Sequence, residues 1–489
     1  MKMIKDLLLQ KKHCRKIAIE SSDRSITYQE WYKASKRFAG MIRTHTDHKP
    51  CNIVLCLPNS IEYAVAYFAI LFSGNVIVPI APDCADAEIT SLVQYCDCPL
   101  IITNERSLEK ITRNTAHLLP QPKCLIMDYS SMYPDIGPEE PCGQEDENAL
   151  CIMLHTSGTT SEPKRVMLSN KNLMANIKSH TAALSLDQED VSLIVLPMFF
   201  GYCNTSQFLA HLYTGGKIVI HDGPLHPVLF WKTICRYGIT NVTVVPAVLV
   251  NLFKAGPAAQ RNQNACRLRY ICYGGGRSNK QIIESLVTMF PGIGFVHTYG
   301  QTECSPRVTA LLPNDALRKS GSVGTPIPGV EIRIQTPSGA KLEPGGIGEV
   351  CVRGANVMLG YYKRPELTEK IIKDGWLHTG DEGYLDEDGF LYLCGRLKNI
   401  IIYNGINLYP EEIENVLLAS SMICDAIVYG VDDNINGEIP VADVVVSAHY
   451  DEKQLRQHCK KYLSDHKIPK TFRIVEKIEK TYNHKNKRW

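Results

Sequence analysis

The sequence is short of the features that identify several large classes of protein. Its 489 residues carry no excess of one charge, because 53 basic residues face 51 acidic ones and give a net charge of +2. Nucleic-acid binding needs a clustered basic surface, so we expect no nucleic-acid partner. Internal repeats and low-complexity tracts are also lacking, and the lack of repeats argues against a solenoid.

The cysteines lack the spacing of a metal site. Eighteen are present, none forms a CxxC pair, and Cys96 and Cys98 are separated by one residue, which is not a zinc-ligand spacing. Residues 1–6 lead into no long apolar stretch, so we expect no secretory signal. We therefore expect reduced, mostly buried thiols in a cytoplasmic protein.

One uncharged segment, residues 63–82, is long enough to suggest a membrane span. Ser73-Gly74-Asn75 interrupts it, and Pro79 and Pro82 end it. Residues 60–72 favour a buried helix and residues 76–80 a buried strand. The segment is thus expected to be a helix and a strand of an α/β core and not a membrane span.

The order of apolar segments predicts an α/β fold. Short apolar runs at 53–57, 100–102, 192–196, 217–220 and 242–245 alternate with helical patterns, which is typical of parallel sheets covered by helices. Thr27 and Glu30 form a capping-box pattern that predicts a helix start. A chain of this length predicts two to four units.

The residue composition changes in the last third of the chain. From about residue 320, glycine and proline become frequent and strands shorten, which predicts a small β-rich subdomain. We expect a large N-terminal domain, residues 1–396, with two helix-covered and mostly parallel sheets plus this subdomain. Residues 397–489 are expected to form a small mobile α+β domain.

A hydroxyl-rich segment follows a predicted strand at 150–154. It reads His-Thr-Ser-Gly-Thr-Thr-Ser-Glu-Pro-Lys-Arg over residues 155–165. Four hydroxyl side chains, a glycine and a lysine in one turn can surround a polyphosphate. The spacing is not that of a Walker loop.

This segment resembles the signature loop of the adenylate-forming superfamily, [ST]-S-G-T-T-G-x-P-K-G-V. That superfamily comprises acyl- and aryl-CoA ligases, nonribosomal peptide adenylation domains and luciferases. Ser161 and Arg165 replace two of the usual glycines, which should stiffen the loop. Similar motifs follow in family order: YGQTE at 299–303, GWLHTGD at 375–381, Gly395-Arg396 and KTYNHK at 480–485. The resemblance spans residues 27–485 and is closest to the acyl- and aryl-acid ligases.

The resemblance implies ATP and Mg²⁺ as cofactors and assigns residues to catalysis and to nucleotide binding. Thr302, Glu303 and Lys485 are the implied catalytic residues, and Glu303 also holds the metal ion, for which a carboxylate is a suitable hard ligand. The implied nucleotide site consists of Thr156, Ser157, Gly158, Thr159, Thr160, Lys164, Gly274, Gly275, Gly276, Tyr299, Gly300, Asp381, Leu393 and Arg396.

The C-terminal segment is implied to alternate between two positions. Lys485 enters for adenylation, and the small domain then turns at the hinge residue Lys398 to bring in Gly405, which lines the tunnel for a pantetheine arm. Two residues of the last motif depart from the family pattern, Glu479 and His484. The alternative interpretation of this segment is a disordered basic tail.

The expected activity is ATP-dependent formation of an acyl-adenylate, followed by transfer of the acyl group to the thiol of CoA or of an acyl or peptidyl carrier protein. Amino-acid activators carry an aspartate that pairs with the substrate ammonium, and here the aligned residue is Gly201. An ordinary α-amino acid is therefore disfavoured, and an aryl, short acyl or modified acid is preferred. The implied pocket consists of Phe200, Gly201, Tyr202, Asn204 and Val245.

Three alternatives remain open from the sequence. The first is a stand-alone amino-acid adenylating enzyme that loads a carrier protein. The second is a luciferase-like oxygenase, in which the adenylate is oxidised. The third is a degenerate member that binds nucleotide without turnover, which the departures at Ser161, Arg165 and His484 would suit.

Overall fold

The computed structural model describes residues 2–128, 146–156, 164–221, 223, 226–246, 248–249, 251, 266–276, 280–403, 406–433 and 437–479. Within these residues the strands form four sheets, two large and two small.

The strands, in chain order, are β1 (Ile17–Glu20), β2 (Ser25–Thr27), β3 (Asn52–Cys56), β4 (Val76–Pro79), β5 (Leu100–Thr103), β6 (Lys123–Ile126), β7 (Leu150–Thr156), β8 (Lys164–Ser169), β9 (Val191–Ile194), β10 (Lys217–Ile220), β11 (Asn241–Val244), β12 (Tyr270–Gly274), β13 (Gly294–Gly300), β14 (Arg307–Leu311), β15 (Thr325–Pro326), β16 (Val330–Gln335), β17 (Gly348–Gly354), β18 (Gly360–Tyr361), β19 (Ile372–Lys373), β20 (Trp376–Leu385), β21 (Leu391–Arg396), β22 (Ile401–Tyr403), β23 (Ile406–Leu408), β24 (Ile423–Asp433), β25 (Gly437–Val446) and β26 (Thr471–Ile474).

The α-helices are α1 (Ile4–Leu9), α2 (Tyr28–His45), α3 (Ile61–Phe72), α4 (Asp86–Tyr95), α5 (Glu105–Thr115), α6 (Asn170–Ala183), α7 (Gly201–Cys203), α8 (Ala210–Thr214), α9 (Pro227–Tyr237), α10 (Lys280–Met289), α11 (Pro365–Ile371), α12 (Pro410–Leu418) and α13 (Glu452–Tyr462). A π-helix, Asn204–Leu209, joins α7 to α8, and short 3-10 helices cover Thr302–Cys304 and Leu397–Asn399.

The two large sheets are mostly parallel. The first has the order β15-β14-β13-β12-β11-β9-β10-β1-β2, and the second has the order β18-β8-β7-β4-β3-β5-β6. In both sheets the central strands pair in parallel and the antiparallel strands lie towards the edges. Non-consecutive parallel neighbours need crossover connections, which the helices supply.

Helix α3 explains the uncharged segment. All twelve of its residues are buried, because it packs inside the main apolar core together with α2. Its one charged residue, Glu62, pairs with Arg24 at 2.6 Å, and the indole nitrogen of Trp31 donates to the carbonyl oxygen of Ala64 at 3.0 Å. None of the helices in the described ranges combines the length and the apolar character needed to cross a membrane.

The last third contains the two small sheets. Strands β16, β17, β20, β19 and β21 form the subdomain sheet, in which β21 pairs with β20. Strands β22 to β26 form a separate C-terminal sheet with its own buried cluster, which includes residues of α12 and α13. The expected α/β class, the β-rich subdomain and the smaller C-terminal unit are confirmed.

The local predictions are also confirmed. Each of the five apolar runs lies on a strand, and its ends agree with those of the strand to within two residues. The side chain of Thr27 accepts from the backbone N–H of Glu30 at 3.2 Å, and the carboxylate of Glu30 accepts from the backbone N–H of Thr27 at 2.8 Å. This reciprocal pair starts α2.

Candidate active site

An ion pair joins the two strands of the hairpin β20–β21. Asp381 and Arg396 are cross-strand partners, and Nε of Arg396 lies 2.5 Å from Oδ1 of Asp381. The carboxylate is buried and the guanidinium side chain is 40% exposed. Attraction to Asp381 raises the pKa of Arg396, so the guanidinium keeps its charge.

Tyr299 brings the first large sheet to the same carboxylate. It lies near the end of β13, and its hydroxyl donates to Oδ2 of Asp381 at 2.7 Å. Burial, followed by the charge of Asp381, raises the pKa of Tyr299 well above its usual value. The phenol therefore stays protonated and remains a donor. We call Tyr299, Asp381 and Arg396 the hairpin cluster.

A second carboxylate, Glu303, lies on the 3-10 helix that follows β13. The hydroxyl of Tyr361 donates to its Oε1 at 2.8 Å, and both side chains are buried. The ammonium of Lys164 lies 5.0 Å from the centre of the Tyr361 ring, a cation–π contact. Burial and the nearby charge of Glu303 raise the pKa of Tyr361, which keeps the hydroxyl protonated.

The two carboxylates belong to one electrostatic site. Glu303 and Tyr361 both contribute to the raised pKa of Arg396, after Asp381 and Tyr299. Tyr361 occupies only one oxygen of Glu303; a carboxylate oxygen of this kind is the hard ligand that Mg²⁺ prefers. The donor set therefore fits a divalent cation bound through Glu303.

The strands on either side of the hydroxyl-rich loop form a hairpin. Thr156 at the end of β7 is the cross-strand partner of Lys164 at the start of β8. The sequence placed the loop directly after a strand, and the backbone confirms that placement. Ser157, Gly158, Thr159 and Thr160, the loop residues proposed to bind phosphate, lie outside the described residues.

The glycine segment 274–276 lies against the expected acyl pocket. A Cβ atom at Gly274 would lie 2.3 Å from the carbonyl oxygen of Thr298 on β13, so only glycine allows this strand spacing. Gly275 has a φ of +74°, and a Cβ there would lie 3.8 Å from the ring of Tyr202. A Cβ at Gly276 would meet Pro246 at 3.6 Å.

The expected pocket segment reaches the 3-10 helix that carries Thr302. A Cβ at Gly201 would lie 3.0 Å from Cδ1 of Leu154 and 3.8 Å from Cγ2 of Thr302. The hydroxyl of Tyr202 lies 2.8 Å from Oγ1 of Thr298. Phe200, whose ring packs on Phe199, precedes α7. The structure thus brings this segment together with Thr302.

Two further residues predicted for the pocket, Asn204 and Val245, lie in the surrounding core. Asn204 is buried on the π-helix and accepts a hydrogen bond from the hydroxyl of Tyr67 at 3.4 Å. Val245 follows β11 and packs, partly buried, against the apolar clusters beneath the first sheet.

Two other residues predicted for the nucleotide site, Gly300 and Leu393, lie on strands β13 and β21. Gly300 is the cross-strand partner of Arg307, and a Cβ there would lie 1.7 Å from the carbonyl oxygen of Pro306. Leu393 lies on β21 opposite Gly383, and its side chain is exposed. A register shift in the pairing of β20 with β21 separates it from Arg396 on the same strand.

The C-terminal predictions are only partly described. Lys398 lies on the 3-10 turn between β21 and β22. Gly405 and Lys485 lie outside the described residues.

Sequence reasoning missed two residues of this site, Tyr361 and Arg307. Tyr361 bonds Glu303 across 58 positions of chain, and Arg307 places its guanidinium 5.4 Å from the centre of the Tyr202 ring. Neither lies in a spacing pattern that predicts its neighbours. The only available signal was that Arg307 closely follows the 299–303 motif.

Comparison with known proteins agrees with this geometry. The family model for AMP-binding enzymes matches residues 9–362, and the model for the C-terminal domain of AMP-binding enzymes matches residues 412–485. The 2-succinylbenzoate–CoA ligase of Bacillus licheniformis is 30% identical over 96% of this chain and 95% of that protein. A 4-coumarate–CoA ligase-like protein of Oryza sativa is 30% identical over 94% and 86%.

A solved structure is similar along the whole chain. The o-succinylbenzoate CoA synthetase of Bacillus subtilis, in complex with its acyl-adenylate intermediate, is 28% identical, with a TM-score of 0.90 over 99% of this chain and 96% of that one. The same enzyme with ATP and a magnesium ion is 27% identical, with a TM-score of 0.88 over 99% and 98%. The chain belongs to the family of AMP-binding, adenylate-forming enzymes.

Proposed function

We propose that this protein is an ATP-dependent acid–thiol ligase. In the first step a carboxylate oxygen attacks the α-phosphorus of ATP, and the bond to pyrophosphate breaks to give an acyl-adenylate. In the second step a thiolate attacks the acyl carbon, and AMP leaves as the thioester forms. The observation that carries the proposal is the hairpin cluster, in which two sheets converge on the buried carboxylate of Asp381.

The roles proposed for the site residues are those that the family resemblance implies, and their charges suit these roles. Asp381 would accept hydrogen bonds from the ribose hydroxyls, and Arg396 would donate to ribose and phosphate. Tyr299 would lie against the adenine, and Thr302, next to the pocket segment at Gly201, would bond the α-phosphate. Each is a preorganised group that needs little rearrangement during reaction.

The polyphosphate end of the site would be positive. Lys164, beside Tyr361, and the loop 157–160 would hold the departing pyrophosphate. Mg²⁺ bound through Glu303 would supply charge neutralisation there. Lys485 would bridge the two anions that must meet, the substrate carboxylate and the α-phosphate, which otherwise repel each other.

The domain boundary is proposed between Arg396 and Leu397. The 3-10 turn that carries Lys398 separates the last strand of the subdomain sheet from the first strand of the C-terminal sheet. A single short turn between two separately packed sheets is suited to absorbing a rotation. The rotation would exchange Lys485 for the Gly405 loop between the two steps.

The acceptor thiol is proposed to be that of CoA, because the curated relatives in the comparison are named CoA ligases. A carrier protein presents the same phosphopantetheine thiol and is the alternative acceptor. The acid is proposed to lack an α-ammonium group, since Gly201 offers no carboxylate to pair with one. A cytoplasmic location stays a prediction.

The test is acid-dependent exchange of pyrophosphate into ATP with the full-length protein. We expect exchange with at least one class among aryl, short-chain, long-chain and amino acids, and thioester formation when CoA is added. Absence of exchange with every class, despite measured binding of Mg·ATP, would contradict the proposal and favour a nucleotide-binding protein without turnover.

A further inference from the structure

Arg307 is a buried cation next to the expected acyl pocket. Its side chain is 1% exposed and is among the largest fully buried side chains in the described part of the chain. It opens β14, opposite Gly300. Its backbone is fixed by Asn176, whose side-chain nitrogen donates to the carbonyl oxygen of Arg307 at 2.7 Å. This hydrogen bond involves the backbone of Arg307 and not its guanidinium.

No described residue completes the hydrogen bonds of the guanidinium. The two terminal nitrogens, Nη1 and Nη2, are both buried without a hydrogen-bond partner among the described residues. The ring of Tyr202 lies nearby, with its centre 5.4 Å from the guanidinium carbon. A cation–π contact uses the charge but satisfies no N–H donor.

Three titratable side chains near Arg307 in the described part of the chain, His180, Tyr202 and Cys272, are uncharged. Burial, and next the charge of Arg307, lowers the pKa of His180 well below its usual value, so the imidazole is neutral. Burial raises the pKa of Cys272 to about 11 and that of Tyr202 to about 12. None of these neighbours supplies the negative charge that a buried guanidinium needs.

A buried charge without a partner is expensive, and proteins rarely keep one without a reason. The cost is recovered if a ligand brings the missing anion. Arginine presents its N–H groups in a planar fork that matches a carboxylate through two parallel hydrogen bonds.

The position of Arg307 connects it to the reaction. The ring of Tyr202 that it contacts also approaches Gly275, and the neighbouring Gly201 approaches Thr302, the residue proposed to bond the α-phosphate. An acid placed along this segment would have one end near Thr302 and the other near Arg307.

We propose that Arg307 binds a second carboxylate on the acid substrate, so that the preferred substrate is a dicarboxylic acid. The inference rests on the proposed ligase function and adds the substrate class. One carboxylate reacts with ATP, and the other pairs with Nη1 and Nη2 of Arg307. An acid with an apolar tail would leave the guanidinium unpaired and is selected against.

The test compares acids that differ by the second carboxylate alone. Pyrophosphate exchange is measured with the pairs hexanoate and adipate, octanoate and suberate, and benzoate and phthalate, for the wild type, Arg307→Leu and Arg307→Lys. We expect the wild type to prefer the dicarboxylate of at least one pair. Arg307→Leu should lower kcat/KM for that dicarboxylate about 10- to 150-fold, the usual effect of losing a charged hydrogen-bond partner, while Arg307→Lys should retain part of the preference.

Melting temperature separates recognition from a structural role. Because the guanidinium has no hydrogen-bond partner among the described residues, Arg307→Leu should melt at the same temperature as the wild type or higher. Adipate or suberate, whichever drives exchange, should raise the melting temperature of the wild type and leave that of Arg307→Leu unchanged.

Three results would overturn the inference. The first is a wild-type preference for the monocarboxylate in all three pairs. The second is an unchanged dicarboxylate preference in Arg307→Leu, with or without a lower melting temperature. In both cases exchange persists and the ligase function stands. The third is absence of exchange with all six acids and with the wider acid panel, which would remove the ligase function and this inference together.

Discussion

Replacing Asp381 with asparagine isolates the charge on which the hairpin cluster depends. Both oxygens of the carboxylate are engaged, Oδ1 by Arg396 at 2.5 Å and Oδ2 by the hydroxyl of Tyr299 at 2.7 Å. An amide of the same shape has one acceptor in place of two. Its oxygen can accept from the guanidinium while its NH₂ group donates to the phenol oxygen of Tyr299, so the shape is kept and the negative charge is lost.

The expected effect on stability is small and the effect on ATP use is large. The pair is worth about 1 kcal/mol or less to folding, because Arg396 is 40% exposed and solvent screens it. In the proposed complex Asp381 also accepts from the ribose. Loss of hydrogen bonds to a charged acceptor costs about 1.5–3 kcal/mol, which corresponds to a rise of about 10- to 150-fold in KM for ATP.

The assay is steady-state pyrophosphate formation with ATP varied at a saturating concentration of the acid that drives exchange. Glu331→Gln is the matched control, because it removes a carboxylate that pairs with Arg353 across β16 and β17 of the same sheet, on the exposed surface. We expect the control to keep the wild-type KM. If folded Asp381→Asn keeps a KM for ATP within about twofold of the wild type, the nucleotide role assigned to the hairpin cluster is wrong.

Three further predictions concern other parts of the chain. Lys485→Ala should lower the exchange rate by about 10²–10³, whereas Lys487→Ala, two residues away, should leave it unchanged; equal effects would place the catalytic lysine elsewhere. Gly300→Ala should lower the free energy of unfolding by about 1–3 kcal/mol or more, because the new Cβ would lie 1.7 Å from a carbonyl oxygen. The control Gly292→Ala has open space around the new Cβ and should leave the free energy of unfolding unchanged. Urea unfolding measures both variants. Because burial lowers the pKa of His180, the unfolded chain binds its proton first as the pH falls below about 6.5, so His180 should contribute a fall in stability of up to about 1.4 kcal/mol per pH unit there. Burial also lowers the pKa values of His155, His211 and His297, which contribute in the same direction. His180→Gln should therefore reduce the slope of stability against pH by the share of one histidine in melting curves at pH 5–7, and an unchanged slope would contradict the assignment.

The sequence determined the features that depend on short stretches of chain. Apolar runs of three to five residues separated by helical patterns are best buried as strands of a covered sheet, and they lie on strands β3, β5, β9, β10 and β11. The reciprocal hydrogen bonds of Thr27 and Glu30 act within a single turn. The order of the motifs likewise indicated the family, because each motif is local.

The tertiary structure decided which of these motifs meet. Tyr299 and Asp381 are 82 positions apart, and they touch because the subdomain sheet packs against the end of β13. No periodicity or spacing encodes that contact. The pairing of Tyr361 with Glu303 is of the same kind, since it depends on β18 adding to the edge of the second sheet at β8.

Arg307 shows most clearly what the sequence alone does not determine. An arginine at the start of a strand, after Ser305 and Pro306, reads as a surface residue, because a charged side chain is almost never fully buried without a partner. Only the packing of β14 against the layer that carries Tyr202 and His180 encloses it. The burial of a side chain depends on atoms from distant parts of the chain. The sequence therefore determined that residue 307 carries a charge, and the tertiary structure determined that this charge is buried.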